Sequence, residues 1–390
     1  MDLVVGTFNT PDLFTLAFSP PTATSPDASL TIIRASPAIG NHSWLALSPL
    51  DPTNPHGKRF LYATAWTDPP SVAAYSVQLS GREIQFLNAK HVRARSGYVC
   101  ASKTHVYSAG GPTGEAFKLE ADGRVGDLVQ ELSFVDDESN AKASDAPHGD
   151  FGGLRSGSHS VDLSPDHRSL YIADIGRNCI WTYSINTTKD EPHLQLGSKH
   201  ISPRSNDGPR HTWPHPGGRI LYSLQEHSSM VDVFSVAADG VTLSHLQGVK
   251  IIPTDKDPKH YWADEVRLST TDPSNKDTKP NFMYASTRGL QSHTKGYVAV
   301  FALNADGTLA SEEAIHIWQT PTSGGIANAI EPAPWRQEHG EVEYLAMTDS
   351  EEGWVFALSF DGKEIREVAR VSLGKTEEGN VKQAATAVWL

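Results

Sequence analysis

The feature that most constrains this chain is a repeat. Three segments share one plan: WLALSP…GKRFLYATAW…SVAAYSV (Trp44 to Val77), HSVDLSPDHRSLYIADIGRNCIWTYSI (His159 to Ile185) and HTWPHPGGRILYSLQEHSSMVDVFSV (His211 to Val236). Each reads as an apolar strand, a turn, a second apolar strand that ends in small or polar residues, a short connection and a third strand. Val266 to Gly307 follows the plan with a longer first turn, Asn328 to Gly362 repeats it again, and a weaker copy begins at Gly97. Self-similar units of about 40–50 residues mark propeller blades or solenoid units, because one unit cannot bury its apolar faces alone.

The number of strands per unit separates these two architectures. Asp122-Gly123, Asp239-Gly240, Asp306-Gly307 and Asp361-Gly362 each follow a third strand, and an Asp-Gly pair there predicts a tight hairpin into a fourth. Four strands per unit is the pattern of a propeller blade. The N-terminal VVGTFNTPDLFTLAFSP supplies outer strands of one more blade, and the lone C-terminal strand in Gln383 to Leu390 completes it. The predicted fold is therefore an all-β, seven-bladed β-propeller of four-stranded antiparallel blades, with the ring closed by the C-terminal strand. It forms one domain over residues 1–390, and the polar stretch 136–158 is a loop insertion between blades three and four.

Composition narrows the partners. A net charge of -13 argues against nucleic acid, whose binders gather Lys and Arg on one face. The chain has no apolar run long enough to span a bilayer, so no membrane partner is expected. The opening MDLVVGTFNTPDLF lacks a basic segment followed by an apolar core, which predicts no secretory leader and a cytoplasmic location. Cys100 and Cys179 are too few for a disulfide framework and read as small buried residues. Association into a homo-oligomer is left open.

The blade plan also says where chemistry can sit. In an antiparallel blade the start of the first strand and the end of the second meet on one face of the ring, beside its axis. Arg210 and His211 open a first strand and Glu226 closes the second, with the Pro216-Gly217-Gly218 turn on the opposite face. His159 and Asp174 hold those positions in the preceding blade; Asp264 and Glu265 open the following one, and Arg288 closes its second strand. Cations, carboxylates and imidazoles from three consecutive blades thus converge, as in a small-molecule site. Such a set suits a carboxylate or lactone: arginine forks onto a carboxylate and stabilises developing oxyanion or enolate charge, while a tuned His or Glu moves the proton.

Other chemistries are less well served. Ser156-Gly157-Ser158 lacks the G-x-S-x-G elbow of a serine nucleophile. His211 and His215 lie four apart between prolines in a strand of period two, so no metal site is expected, and His215 reads as a turn residue. Trp213, Trp262, Trp335 and Trp354 read as packing between blades, with Trp262, beside Asp264 and Glu265, the best candidate for touching a ligand.

PTSGGIANAIEPAPW (Pro321 to Trp335), TDSEEGW (Thr348 to Trp354), VARVSL (Val368 to Leu373), GPRHTWPHPGGRILYSLQE and FMYASTRG (Phe282 to Gly289) carry a resemblance over nearly the whole chain. It resembles the lactonase family of seven-bladed propellers, and within it the fungal carboxy-cis,cis-muconate cyclases. The resemblance implies a cofactor-independent intramolecular lactonisation of an unsaturated dicarboxylate or tricarboxylate in aromatic catabolism. By matching motifs it places the catalytic groups on His159, Arg210, Glu226 and Arg288; the blade argument itself adds His211, Asp174, Glu265 and Trp262 as substrate-contacting neighbours. It leaves either His159 or Glu226 as the proton donor. Ile326 stands where those cyclases carry His after Gly-Gly, and Trp262 where they carry Arg, so the implied substrate is larger or less charged. Two alternatives stand beside this one: a lactone hydrolase of the 6-phosphogluconolactonase type, and a propeller that binds without turnover.

Overall fold

Strands of alternating pattern recur along the whole chain, and in three dimensions they pair into seven four-stranded antiparallel sheets. The computed structural model describes residues 1–49, 58–78, 83–135, 157–186, 193–275 and 277–390. Blade 1 is Ala384–Trp389, Asp2–Thr7, Asp12–Ser19 and Ser29–Pro37 in spatial order, so the C-terminal strand is its innermost element. The other six blades each use four consecutive strands, beginning at Leu45, Tyr98, Ser158, Pro209, Tyr261 and Ile330. Closing the ring between the two ends of the chain removes the open edge that a linear stack of blades would expose.

Why the strands read as continuous apolar runs is clear from their surroundings. Successive side chains of a strand point to opposite faces, and here both faces are covered by another blade. Leu221 packs on blade 4 while its neighbours Ile220 and Tyr222 pack on blade 6, and Tyr284 faces blade 7 while Met283 and Ala285 face blade 5. The core is accordingly a ring of clusters lodged between blades. The Asp-Gly hairpins form as the sequence predicts: Gly123, Gly240, Gly307 and Gly362 have φ between 75° and 90°, a region that costs glycine nothing.

Some expectations shift. Ser158 already opens the first strand of blade 4, and residues 136–156 of the expected insertion lie outside the described residues. Trp335 is only partly covered, 38% exposed, in a surface depression lined by residues of blades 6 and 7. His215 sits at the far turn as read, but buried, accepting a hydrogen bond from the Gly217 amide. Cys179 is fully buried and Cys100 half-buried. Among the described residues no helix is long and apolar enough to cross a membrane.

Candidate active site

The innermost strands of blades 4, 5 and 6 share a local irregularity. In each, one extra residue is inserted between consecutive partners on the second strand: His159 between Ser158 and Ser160, Arg210 between Pro209 and His211, and Asp264 between Ala263 and Glu265. A β-bulge bends the strand and re-aims side chains, and here it turns all three towards the axis of the ring. The second strands contribute the residue just past the partners of Ser158, Pro209 and Ala263, which is Ile175, Glu226 and Arg288 respectively. These six residues form one wall of a cavity of about 400 Å³. Blades 1, 2, 3 and 7 build the rest mostly from aromatic and small residues, among them Trp44, Trp66, Gly97, Ala327 and Ala385.

On the polar wall two arginines are cross-linked by two carboxylates. Arg210 Nη2 lies 2.9 Å from Asp264 Oδ1, and its Nε lies 3.6 Å from Glu226 Oε1. Arg288 reaches the same two oxygens from the other side, Nη2 donating to Glu226 Oε1 at 3.1 Å and Nε standing 3.6 Å from Asp264 Oδ1. Arg210 also donates to the Asp264 carbonyl, Arg288 donates to the Gly325 carbonyl at 3.2 Å, and the Asn328 amide donates to Asp264 Oδ2 at 2.8 Å. The Arg288 guanidinium carbon stands 5.1 Å from the centre of the Trp262 ring, which gives its planar cation an aromatic backing. All four ionic side chains are nearly buried, so these charges act with little screening.

The imidazoles are neutral. Burial, followed by the charges of Arg210 and Arg288, holds His159 well below the usual histidine pKa, and burial with Arg210, His159 and Arg267 does the same to His211. A neutral His211 that donates from Nδ1 to Glu265 Oε1 (2.8 Å) presents Nε2 as the acceptor for Arg210 Nη1 (3.1 Å). His211 thereby steadies Arg210 from beneath. His159 packs 5.1 Å from the His211 ring, and its Nδ1 has no hydrogen-bond partner among the described residues. Gly97 makes room for it, since a Cβ there would lie 2.9 Å from the His159 carbonyl oxygen. Burial pushes the Glu226 carboxyl above its ordinary value even though Arg210 and Arg288 pull it down.

The cavity thus brings together His159, Arg210, Glu226, Arg288, His211 and Trp262. Two other predicted contacts are corrected. Asp174 pairs with Ser158 and occupies the position of Gln225 and Thr287, one residue short of the cavity, so Ile175 lines the wall instead. The Asp174 carboxylate accepts from the Arg177 amide, Arg177 Nη1 and Trp181 Nε1 at 2.9–3.0 Å, a self-contained turn. Glu265 is displaced by the bulge at Asp264: it lies below the cavity, fully buried, against His211 and Arg267. Asp264 is the carboxylate that faces the cavity, and once the three bulges are seen, SHS, PRH and ADE at the strand starts align it with His159 and Arg210. Arg95, also on the lining, has no comparable signal, because it lies in the connection before blade 3. Among the described residues no group of three or more His, Cys, Asp or Glu is placed to hold a metal ion.

A family model described as "Lactonase, 7-bladed beta-propeller" matches residues 15–322. The chain belongs to this lactonase family. Among its relatives within and around the family, "Muconate cycloisomerase 1" of Cutaneotrichosporon cutaneum is 41% identical over 393 residues, covering 100% of this chain and 98% of the relative. "Carboxy-cis,cis-muconate cyclase" of Neurospora crassa is 29% identical over 225 residues, 56% of this chain and 57% of the relative. The structure of the periplasmic gluconolactonase of Pseudomonas aeruginosa superposes with a TM-score of 0.74 at 18% identity, over 99% of this chain and 98% of that one. That likeness concerns the lactonase fold alone.

Proposed function

We propose that this lactonase-family propeller catalyses the cofactor-independent cycloisomerisation of a muconate-type dicarboxylate to its lactone. The observation that carries the reading is the polar wall itself: two arginines lining a small cavity, joined through two carboxylates, one of which is pushed towards its acid form. The full-length likeness to a muconate cycloisomerase supports it.

In the proposed reaction one substrate carboxylate oxygen forms a C–O bond to the double-bond carbon β to the second carboxylate. The π pair moves to the α carbon and spreads into that second carboxylate as an enediolate. Arg210 and Arg288 hold this carboxylate, so their charges meet the greatest negative charge at the transition state. Glu226 donates its proton to the α carbon and recovers one from solvent. Charge balance requires a net uptake of one proton as a dianion becomes a lactone monoanion, and no bond is oxidised or reduced. An arriving carboxylate raises the Glu226 pKa further by like-charge repulsion, which keeps the donor loaded. A neutral His159 is a poor acid and serves instead to orient the attacking carboxylate.

Trp262 and Ile326 both line the cavity, and both are apolar where the carboxymuconate cyclases carry polar or cationic residues. Their presence favours a dicarboxylate over a tricarboxylate. Incubation with cis,cis-muconate and with 3-carboxy-cis,cis-muconate, following loss of the conjugated ultraviolet absorption, tests the reading. Faster consumption of muconate with proton uptake is the expected result. Hydrolysis of an added lactone with acid release, and no loss of either diene, would replace it with the hydrolase reading.

A further inference from the structure

The polar wall is nearly balanced in charge, which raises the question of what meets the attacking carboxylate of a dianion. Arg210 and Arg288 face Glu226 and Asp264, two cations against two anions. With Glu226 in its acid form, that wall offers one net positive charge. A dicarboxylate brings two negative charges, so one more cation is needed.

Arg95 lines the same cavity from the connection between blades 2 and 3, roughly across the ring from the wall of blades 5 and 6. Its side chain is exposed at the mouth. Among the described residues it pairs with no carboxylate, in contrast with Arg93, which reaches Glu131 at 2.6 Å. It is nonetheless fixed in place. The guanidinium carbon sits 5.1 Å from the centre of the Trp66 ring, and Trp66 Nε1 donates to the Ser96 carbonyl at 3.0 Å, so the ring that supports the cation is bonded to the segment that carries it. Gly110 completes the seat, since a Cβ there would stand 2.2 Å from the Arg95 carbonyl oxygen. A guanidinium laid over an aromatic face keeps its N–H edges available for a two-point fork onto a carboxylate.

We infer that Arg95 is the specificity-determining residue for the carboxylate of a dianionic substrate that attacks during ring closure, an inference that rests on the dicarboxylate reading above. With Arg95 included the cavity offers two net positive charges to a dianion, and a tricarboxylate exceeds what it can neutralise. The attacking carboxylate loses its charge as the C–O bond forms, so Arg95 binds the ground state at least as strongly as the transition state. Its contribution therefore falls on KM rather than on kcat, the reverse of Arg210 and Arg288.

The test uses Arg95→Gln and Arg95→Lys in the full chain, with the unreactive pair adipate and hexanoate as probes by calorimetry. The wild type binds adipate about tenfold more tightly than hexanoate, Arg95→Gln brings the ratio to within about twofold, and Arg95→Lys keeps part of it. With muconate, Arg95→Gln raises KM about tenfold, leaves kcat unchanged or slightly higher, and weakens the dependence of KM on ionic strength. A preference for adipate that survives Arg95→Gln, or a wild type that binds both acids equally, overturns the inference. If the wild type converts no muconate-type acid, the cyclisation reading falls, while the adipate-to-hexanoate ratio still decides the role of Arg95.

Discussion

Two arginine clusters lie one above the other near the axis of this propeller, and they are built differently. The lower one centres on Arg267, whose Nη1 meets Glu265 and whose Nε lies 2.7 Å from Glu331 Oε2, with its guanidinium carbon 4.0 Å from the Trp213 ring centre and 5.3 Å from that of Trp44. The upper one holds Arg210 and Arg288 against Glu226 and Asp264 at 2.9–3.6 Å. Burial opposes the charge in both. In the lower cluster Glu265, Tyr98 and Glu331 overcome it and raise the Arg267 pKa, whereas in the upper cluster burial prevails and that of Arg288 is lowered. The same residue type is thus satisfied as structure in one place and poised for an anion in the other. A buried cation held a little short of compensation gains most when a ligand carboxylate arrives.

Single substitutions can break that contrast. The largest effect is expected from Arg288→Ala, which should lower kcat on the true substrate about 10³-fold, or about 4 kcal/mol, while shifting the urea midpoint little. Loss of stability alongside activity would mean the upper cluster is structural after all. Arg267→Met should do the opposite, costing about 3–5 kcal/mol in equilibrium unfolding because Glu265 and Glu331 are left buried without their partner, while the folded fraction retains turnover. Full activity loss at unchanged stability would reverse the assignment of the two clusters.

Glu226→Gln sharpens the comparison by removing the proton without the shape. It should reduce turnover about 100-fold. In the wild type, turnover falls as pH rises through the elevated Glu226 pKa and its acid form is lost; the Gln variant should lack that limb when rate is plotted against pH. The smallest effect belongs to Asp162, below the cavity, which accepts from Tyr98 and Thr212 and is raised by burial from 3.8 to about 6. The folded protein then holds a proton that the unfolded chain has released, so the stability contributed by Asp162 is complete below about pH 4 and is lost as pH rises through about 6, by at most about 3 kcal/mol. Urea midpoints at pH 4 and pH 7 should show a shallower decline in Asp162→Asn than in the wild type.

Much of this was legible in the linear sequence, and the failures are instructive. The strand pattern and Asp-Gly hairpins predict the blades and the ring closure, because turn chemistry and period-two alternation are local properties. Strand ends predict which faces meet, and so His159, Arg210, Glu226 and Arg288 reach one cavity. Asp174 and Glu265 were misplaced by a single residue each. For Glu265 the cause is the bulge at Asp264, since one extra residue in a strand exchanges the side chains on its two faces; Asp174 lies on an unbulged second strand, whose last paired residue stops one short of the cavity.

The repeat in the sequence by itself determined a closed ring of four-stranded blades, with charge gathered at strand ends in the second half of the chain. Only the tertiary structure decided which carboxylate faces the cavity, Asp264 rather than Glu265, and that Arg95, far from the others in sequence, shares their lining. The physical reason is that alternation and turns are set by neighbours along the chain. A bulged register and the meeting of walls from separate blades depend on pairing and packing between segments, which local sequence does not encode.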